Sequence, residues 1–243
     1  MTSVDAWLGA ALPLAAGVLL LLAAVRRPVR YARVQREGGT AFLGERVMHW
    51  GYAWVDGVAR LAGRLGLTPD QVSWLSLALG AAAGTLIGCG WLGAGAWLLA
   101  VSGLGDGVDG ALARHRGVSS PAGAVLDSVL DRYVEFFVFA GLVVWFRGLW
   151  PQQLVTVAAL FGGMMVTYST AKAEAVRVAP PRGWMKRPER IVWLIGGTAF
   201  AAAAPLVNVP ALPILTGVVA LIAVFANLSA ALRFRALQAA ARG

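Results

Sequence analysis

The sequence is poor in charge, in histidine and above all in cysteine. A single cysteine, Cys89, excludes an intrachain disulfide and a cysteine-based zinc cluster, and two histidines leave no His-rich metal site. Any metal must therefore be held by oxygen. Charged residues make up 14% of the chain against 58% hydrophobic, whereas a soluble domain carries nearer a quarter charged. This balance excludes a disordered tail and points to a membrane. Acids are the scarcer sign, 12 against 21 basic residues, for a net charge of +9. Basic loops that set topology and attract anionic lipid account for the excess without any nucleic acid.

What charge there is lies unevenly. None occurs from Gln71 to Gly105 or from Ile191 to Leu232. At about 1.5 Å per residue the second stretch makes a helix of roughly 63 Å against a bilayer core of about 30 Å, so it must hold two spans. Apolar runs between Gly and Pro punctuation predict spans near Ala6–Val25, Thr68–Gly88, Trp91–Leu112, Pro121–Phe146, Gln152–Ala173, Pro188–Pro205 and Ala211–Leu232. Basic residues fall in alternate loops: Arg26, Arg27, Arg30, Arg33, Arg36 and Arg46; Arg114 and Arg116; Lys172, Arg177, Arg182, Lys186, Arg187 and Arg190; Arg233, Arg235 and Arg242. The opposite loops hold only Arg147. Because such loops stay in the cytoplasm, the pattern predicts an outside N-terminus and an inside C-terminus. The first span has no basic residues before it and arginines after it, which argues against a cleaved signal. Val47, Trp50, Trp54, Val58, Leu61 and Leu65 recur at near-helical spacing among Arg46, Asp56, Arg60 and Arg64. They predict an amphipathic helix over 46–66 in the cytoplasmic interface. The fold class is thus an all-α integral membrane protein. Residues 1–45 supply an N-terminal transmembrane helix and basic loop; 46–243 supply a domain with the interfacial helix and six transmembrane helices over 68–232.

Four aspartates stand where this topology puts membrane: Asp106 and Asp109 late in the third span, Asp127 and Asp131 early in the fourth. An Asp at a helix centre costs roughly 2.5 to 3.5 kcal/mol on the insertion scale, so such residues mark function. Spacings of i, i+3 and i, i+4 put each pair on one helix face, and the short His115–Pro121 turn opposes those faces. Converging carboxylates repel unless cations sit among them, which predicts Mg²⁺ or Mn²⁺, with room for two ions. Gly103, Gly105, Gly107, Gly110 and Gly123 are dense for helices and suit close approach of a ligand or of a neighbouring helix. Arg114, one turn after Gly110 at the water boundary, suits a phosphate partner or serves topology alone.

Written out, Asp106 to Asp131 reads DxxDGxxARx8GxxxDxxxD. This segment resembles the signature of the CDP-alcohol phosphotransferases, membrane enzymes of phospholipid headgroup synthesis. The resemblance implies a six-helix core, to which the first span is an addition, and in which Asp106, Asp109, Asp127 and Asp131 bind metal with Asp131 as general base. It further implies that Gly110, Ala113, Arg114 and Ser120 contact a donor such as CDP-diacylglycerol. Thr68-Pro69-Asp70-Gln71-Val72-Ser73 resembles the family's TPNxxT helix start, with Asp70 in place of Asn, so Asp70 and Ser73 join the donor contacts. The stretch from Thr167 to Glu174, followed by Arg187-Pro188-Glu189-Arg190, is similar to the SYxxARAE and RPER pattern of bacterial phosphatidylinositol-phosphate synthases within the family, although Thr170 and Lys172 replace its usual Lys and Arg. That likeness implies an anionic acceptor such as inositol phosphate met by Lys172, Arg187 and Arg190, with glycerol phosphate or a neutral alcohol as alternatives. It also implies a homodimer in a bacterial inner (cytoplasmic) membrane with its site facing the cytoplasm.

Two rival readings make different demands. An intramembrane prenyltransferase also uses Asp-rich motifs for Mg²⁺ and diphosphate, but needs a second, distant one that this chain lacks. A transporter with an acidic cation path spreads its acids through the membrane depth, whereas here they cluster within Asp106 to Glu135.

Overall fold

The computed structural model describes residues 2–25, 45–179 and 183–242. The basic loop residues Arg26, Arg27, Arg30, Arg33, Arg36 and Arg182 lie outside the described residues, as does the side chain of Arg46. The described elements are helical: α1 (Ser3–Val25), α2 (Glu45–Arg64), α3 (Pro69–Gly88), α4 (Leu92–Arg116), α5 (Pro121–Trp145), α6 (Trp150–Ala175), α7 (Arg187–Ala203), a 3₁₀ turn (Ala204–Val207) and α8 (Ala211–Ala240).

Local chemistry explains the helix ends. Thr68 caps α3 in a reciprocal box with Gln71: Thr68 Oγ1 accepts from Gln71 N at 3.2 Å and Gln71 Oε1 accepts from Thr68 N at 2.9 Å. Ser120 caps α5 by accepting from Gly123 N at 3.0 Å, and Pro121 supplies a first-turn φ. Between them α4 continues to Arg116, past the predicted end at Leu112. Three basic residues favour its C-terminal dipole, and Gly117, at φ 65°, turns the chain out of the helix. The last helix likewise runs on to Ala240 rather than stopping at Leu232.

Among the described residues, five helices (α1, α3, α6, α7 with the 3₁₀ turn, and α8) are long and apolar enough to cross a membrane. The two remaining predicted spans, α4 and α5, are each 25 residues long and are the helices that carry the four aspartates. They pack against α3, whose contact with α5 is close enough that a Cβ on Gly84 would strike the Phe137 carbonyl oxygen and one on Gly141 the Gly84 carbonyl oxygen. Most of the apolar core, including Ile87, Leu99, Phe139, Leu194 and Ile222, lies among α3, α4, α5, α7 and α8. The N-terminal helix docks on α4 and α7; Asp5 Oδ1 accepts from Ala94 N at 3.0 Å, so α1 caps the start of α4. The amphipathic α2 lies on α4, burying Ala59 and Ala62 and exposing Trp54, Val58 and Leu61.

Candidate active site at the charged end of the helices

The ends of four helices meet where the acids are. Asp106 on α4 and Asp127 and Asp131 on α5 bring carboxylate oxygens within 4.8 Å of one another. Arg187, the first residue of α7, reaches into this cluster. Its Nη1 lies 2.6 Å from Asp106 Oδ2 and its Nη2 2.6 Å from Asp131 Oδ1, while its Nε is buried without a hydrogen-bond partner. Arg187 therefore stands among the aspartates, although its segment also reads as a basic loop. The reason is tertiary: α7 packs against α4 and delivers its N-terminus to the cleft.

Asp109 behaves differently from the other three. It is buried, its Oδ2 accepts from Ser73 Oγ at 2.5 Å, and its Oδ1 accepts from Gly110 N at 2.5 Å. It lines the same cleft as the triad, together with Ser76 and Ser102. An all-oxygen set of close carboxylates suits a hard divalent cation. Asp106, Asp127 and Asp131 fit that chemistry, and Asp109 stands beside them already hydrogen-bonded.

One turn below Asp131, Glu135 is paired with Arg190 rather than with Arg132, which instead donates to the Ser128 carbonyl. Arg190 Nε and Nη2 meet the two Glu135 oxygens at 2.5 and 2.8 Å, and its Nη1 donates to Met185 O at 2.6 Å. The pair is 0% and 3% exposed, and a Cβ on Gly163 would stand 2.7 Å from Arg190 Nε. Arg190 is thus held in the interior by its carboxylate, with no exposed face to present to the acceptor that the likeness assigns it.

The remaining predicted donor residues lie along the rim. Gly110, Ala113 and Arg114 occupy the last turns of α4; Arg114 is exposed and curls back so that its Nη1 is 3.3 Å from where a Gly110 Cβ would be. Ser120 caps α5, and Asp70 is exposed in the first turn of α3. Lys172 is exposed in the last turn of α6. The sequence reading overlooked Arg233 on α8, which is 3% exposed with Nη1 3.2 Å from Thr170 Oγ1 and Nε lacking a partner. A basic residue following a long uncharged run reads as a topology signal, which hides such a side chain.

Helices that converge a carboxylate triad, a buried arginine and an exposed one at a single end make a site whose groups suit divalent ions and phosphate oxygens. Residues 66–238 match the model of the CDP-alcohol phosphatidyltransferase family, and the chain belongs to that family. It is 37% identical over 145 residues to the phosphatidylinositol phosphate synthase of Mycobacteroides abscessus, covering 57% of this chain and 64% of that one. The same figure, 37%, holds over 162 residues for the synthase of Cutibacterium acnes, covering 62% and 77% of the two chains. The fold resembles the phosphatidylinositol phosphate synthase of Mycobacterium tuberculosis. The structure of that enzyme with manganese and citrate has a TM-score of 0.69 at 32% identity, over 76% of this chain and 88% of that one. Its complex with CDP-DAG has a TM-score of 0.68 at 32% identity, over 75% and 92%.

Proposed function

We propose that the protein transfers the phosphatidyl group of CDP-diacylglycerol to a hydroxyl of an anionic polyol, inositol phosphate, and releases CMP. The observation that carries this reading is the carboxylate triad with Arg187 in a chain whose curated relatives include phosphatidylinositol phosphate synthases. The acceptor oxygen bonds to the phosphorus that bears diacylglycerol, the bond from that phosphorus to the oxygen bridging to cytidine phosphate breaks, and the hydroxyl proton passes to Asp131. Asp106, Asp109 and Asp127, with Asp131, would hold two divalent ions, whose chemistry is neutralisation of the diphosphate charge. Arg114, exposed at the rim, meets the donor diphosphate, with Gly110 leaving room for its approach. Ala113, Ser120, Asp70 and Ser73 complete the donor side.

On the acceptor side, Lys172 and Arg233 provide positive charge, and the unpartnered Nε of Arg233 has a free donor for a phosphate oxygen. Arg187 has an unpartnered buried Nε as well, and it stands against Asp131, where the acceptor hydroxyl must lie. Arg190 supports this side from below through Glu135. The site faces the cytoplasm of a bacterial inner membrane, and two copies associate as a homodimer. The deciding experiment supplies purified protein with labelled CDP-diacylglycerol, Mn²⁺ or Mg²⁺ and a panel of alcohols, and scores lipid product and CMP. Metal-dependent product with inositol phosphate is expected. Product only with glycerol phosphate or a neutral alcohol would reassign the acceptor, and no CMP with any alcohol would overturn the reading.

A further inference from the structure

We propose that Asp56 on the interfacial helix α2, acting through His115, is a positioning residue for the donor-binding end of α4; this rests on the CDP-alcohol donor reading above. Asp56 Oδ1 lies 2.6 Å from His115 Nε2, so the ring N–H donates to the carboxylate, and Asp56 Oδ2 accepts from Arg60 Nη1 at 2.6 Å. One residue further, Arg116 Nη2 donates to Gly63 O at 3.1 Å. Between these two ties runs an apolar seam in which Ala59 and Ala62 pack against Val108, Ala111 and Leu112. Val55 packs so closely that its Cγ1 is 3.3 Å from where a Gly107 Cβ would stand.

The consequence is angular. Successive residues on an α-helix point about 100° apart, so fixing His115 and Arg116 against α2 fixes the direction in which Arg114 leaves the same turn. Arg114 stays exposed while both its successors are tied. Gly110 lies within the same clamped stretch. On its other side α2 exposes Trp54, Val58 and Leu61, an apolar stripe suited to the headgroup boundary, so the reference against which α4 is held is itself seated in the leaflet that contains the lipid donor. Asp56 lies before the residues matched by the family model, and His115 is not a fixed position of the DxxDGxxAR segment.

The test compares Asp56→Asn, His115→Gln, Arg60→Ala and the exchange Asp56→His with His115→Asp, all as full-length protein in vesicles containing CDP-diacylglycerol. Loss of a partly exposed ion pair predicts a rise of about three- to five-fold in donor KM for Asp56→Asn and His115→Gln, with kcat and acceptor KM within about two-fold. The exchange variant recovers most of that rise. Arg60→Ala, which removes the other partner of Asp56 without touching α4, leaves donor KM unchanged. Thermal unfolding of each variant separates a folded protein with a displaced Arg114 from a loosened one. An active wild type whose single variants keep the wild-type donor KM overturns the latch alone. So does a parallel loss in kcat and acceptor KM, or an Arg60→Ala effect equal to that of Asp56→Asn. A wild type that consumes no CDP-diacylglycerol overturns the donor reading and the latch with it.

Discussion

Replacing Glu135 by Leu leaves a guanidinium in the interior with one of its three partners. Arg190 is 0% exposed, and two of its nitrogens rest on the Glu135 oxygens at 2.5 and 2.8 Å, the third on Met185 O at 2.6 Å. Breaking a buried pair by removing one partner costs about 3 to 5 kcal/mol, because the surviving charge is stranded in low dielectric. At about 2 to 4 °C per kcal/mol for a chain of this size, the variant should unfold roughly 6 to 20 °C lower. Replacing both partners, Glu135→Leu with Arg190→Met, removes the stranded charge and should recover most of the loss, leaving chiefly the forfeited bond to Met185 O, about 1 kcal/mol. Tryptophan fluorescence on heating in detergent reads the transition directly, with ten tryptophans in the chain. A single variant that melts with the wild type would refute the burial of the pair. A double variant no better than the single would show that packing, not the stranded charge, sets the cost.

Four further outcomes are expected. Asp127→Asn should abolish turnover and weaken Mn²⁺ binding more than Asp109→Asn does, because Asp109 already spends both oxygens on Ser73 and Gly110; equal losses in a Mn²⁺ titration by electron paramagnetic resonance would contradict this. Asp131→Asn should keep most CDP-diacylglycerol affinity while turnover falls about 10²- to 10⁴-fold, and a variant that loses donor binding as fully as Asp127→Asn would demote Asp131 to a metal ligand. Gly84→Val should destabilise by about 1 to 3 kcal/mol or more in the same heating assay, since its side chain meets the Phe137 backbone; a wild-type melt would show that α3 and α5 can part freely. A reporter fused after Arg242 should lie in the cytoplasm and one at Thr2 outside, and an external C-terminus would reverse the proposed orientation.

Much of the site was legible because its cues are local. The i, i+3 and i, i+4 spacings of the aspartates fix helix faces whatever the rest of the chain does, and Thr68-Pro69 and Ser120-Pro121 announce the starts of α3 and α5 by capping chemistry alone. What stayed hidden depends on which helix lies beside which. Arg187 and Arg190 sit in a basic segment that also satisfies the topology rule, so their pairing with Asp131 and Glu135 is not visible from composition. A faint signal was present: the i, i+3 arginines of α7 mirror the i, i+4 acids of α5 in the same chain order, a match that two parallel helices can close. Asp109 shares a face with Asp106, but its capture by Ser73 needs α3 alongside α4. Arg233 was masked in the same way, as one more arginine at the end of an apolar run.

The two rungs that join α5 to α7 also decide where negative charge remains. At the lower rung Glu135 and Arg190 match one to one, with both carboxylate oxygens occupied, so the interior carries a neutral, closed pair. At the upper rung a single guanidinium serves Asp106 and Asp131, with Asp127 beside them and Asp109 held only by uncharged donors. One cation therefore faces several carboxylates in the part of the helix bundle open to the cleft. Like charges so placed repel by several kcal/mol unless a further cation joins them or a proton is taken up. The bundle tolerates acids in both layers, but only in the upper one does it leave them short of positive charge, a set of oxygens that would hold a divalent ion. Buried arginines thus do two jobs on neighbouring turns of α7: Arg190 closes the structure, and Arg187 leaves the cluster one layer above it unbalanced enough to bind.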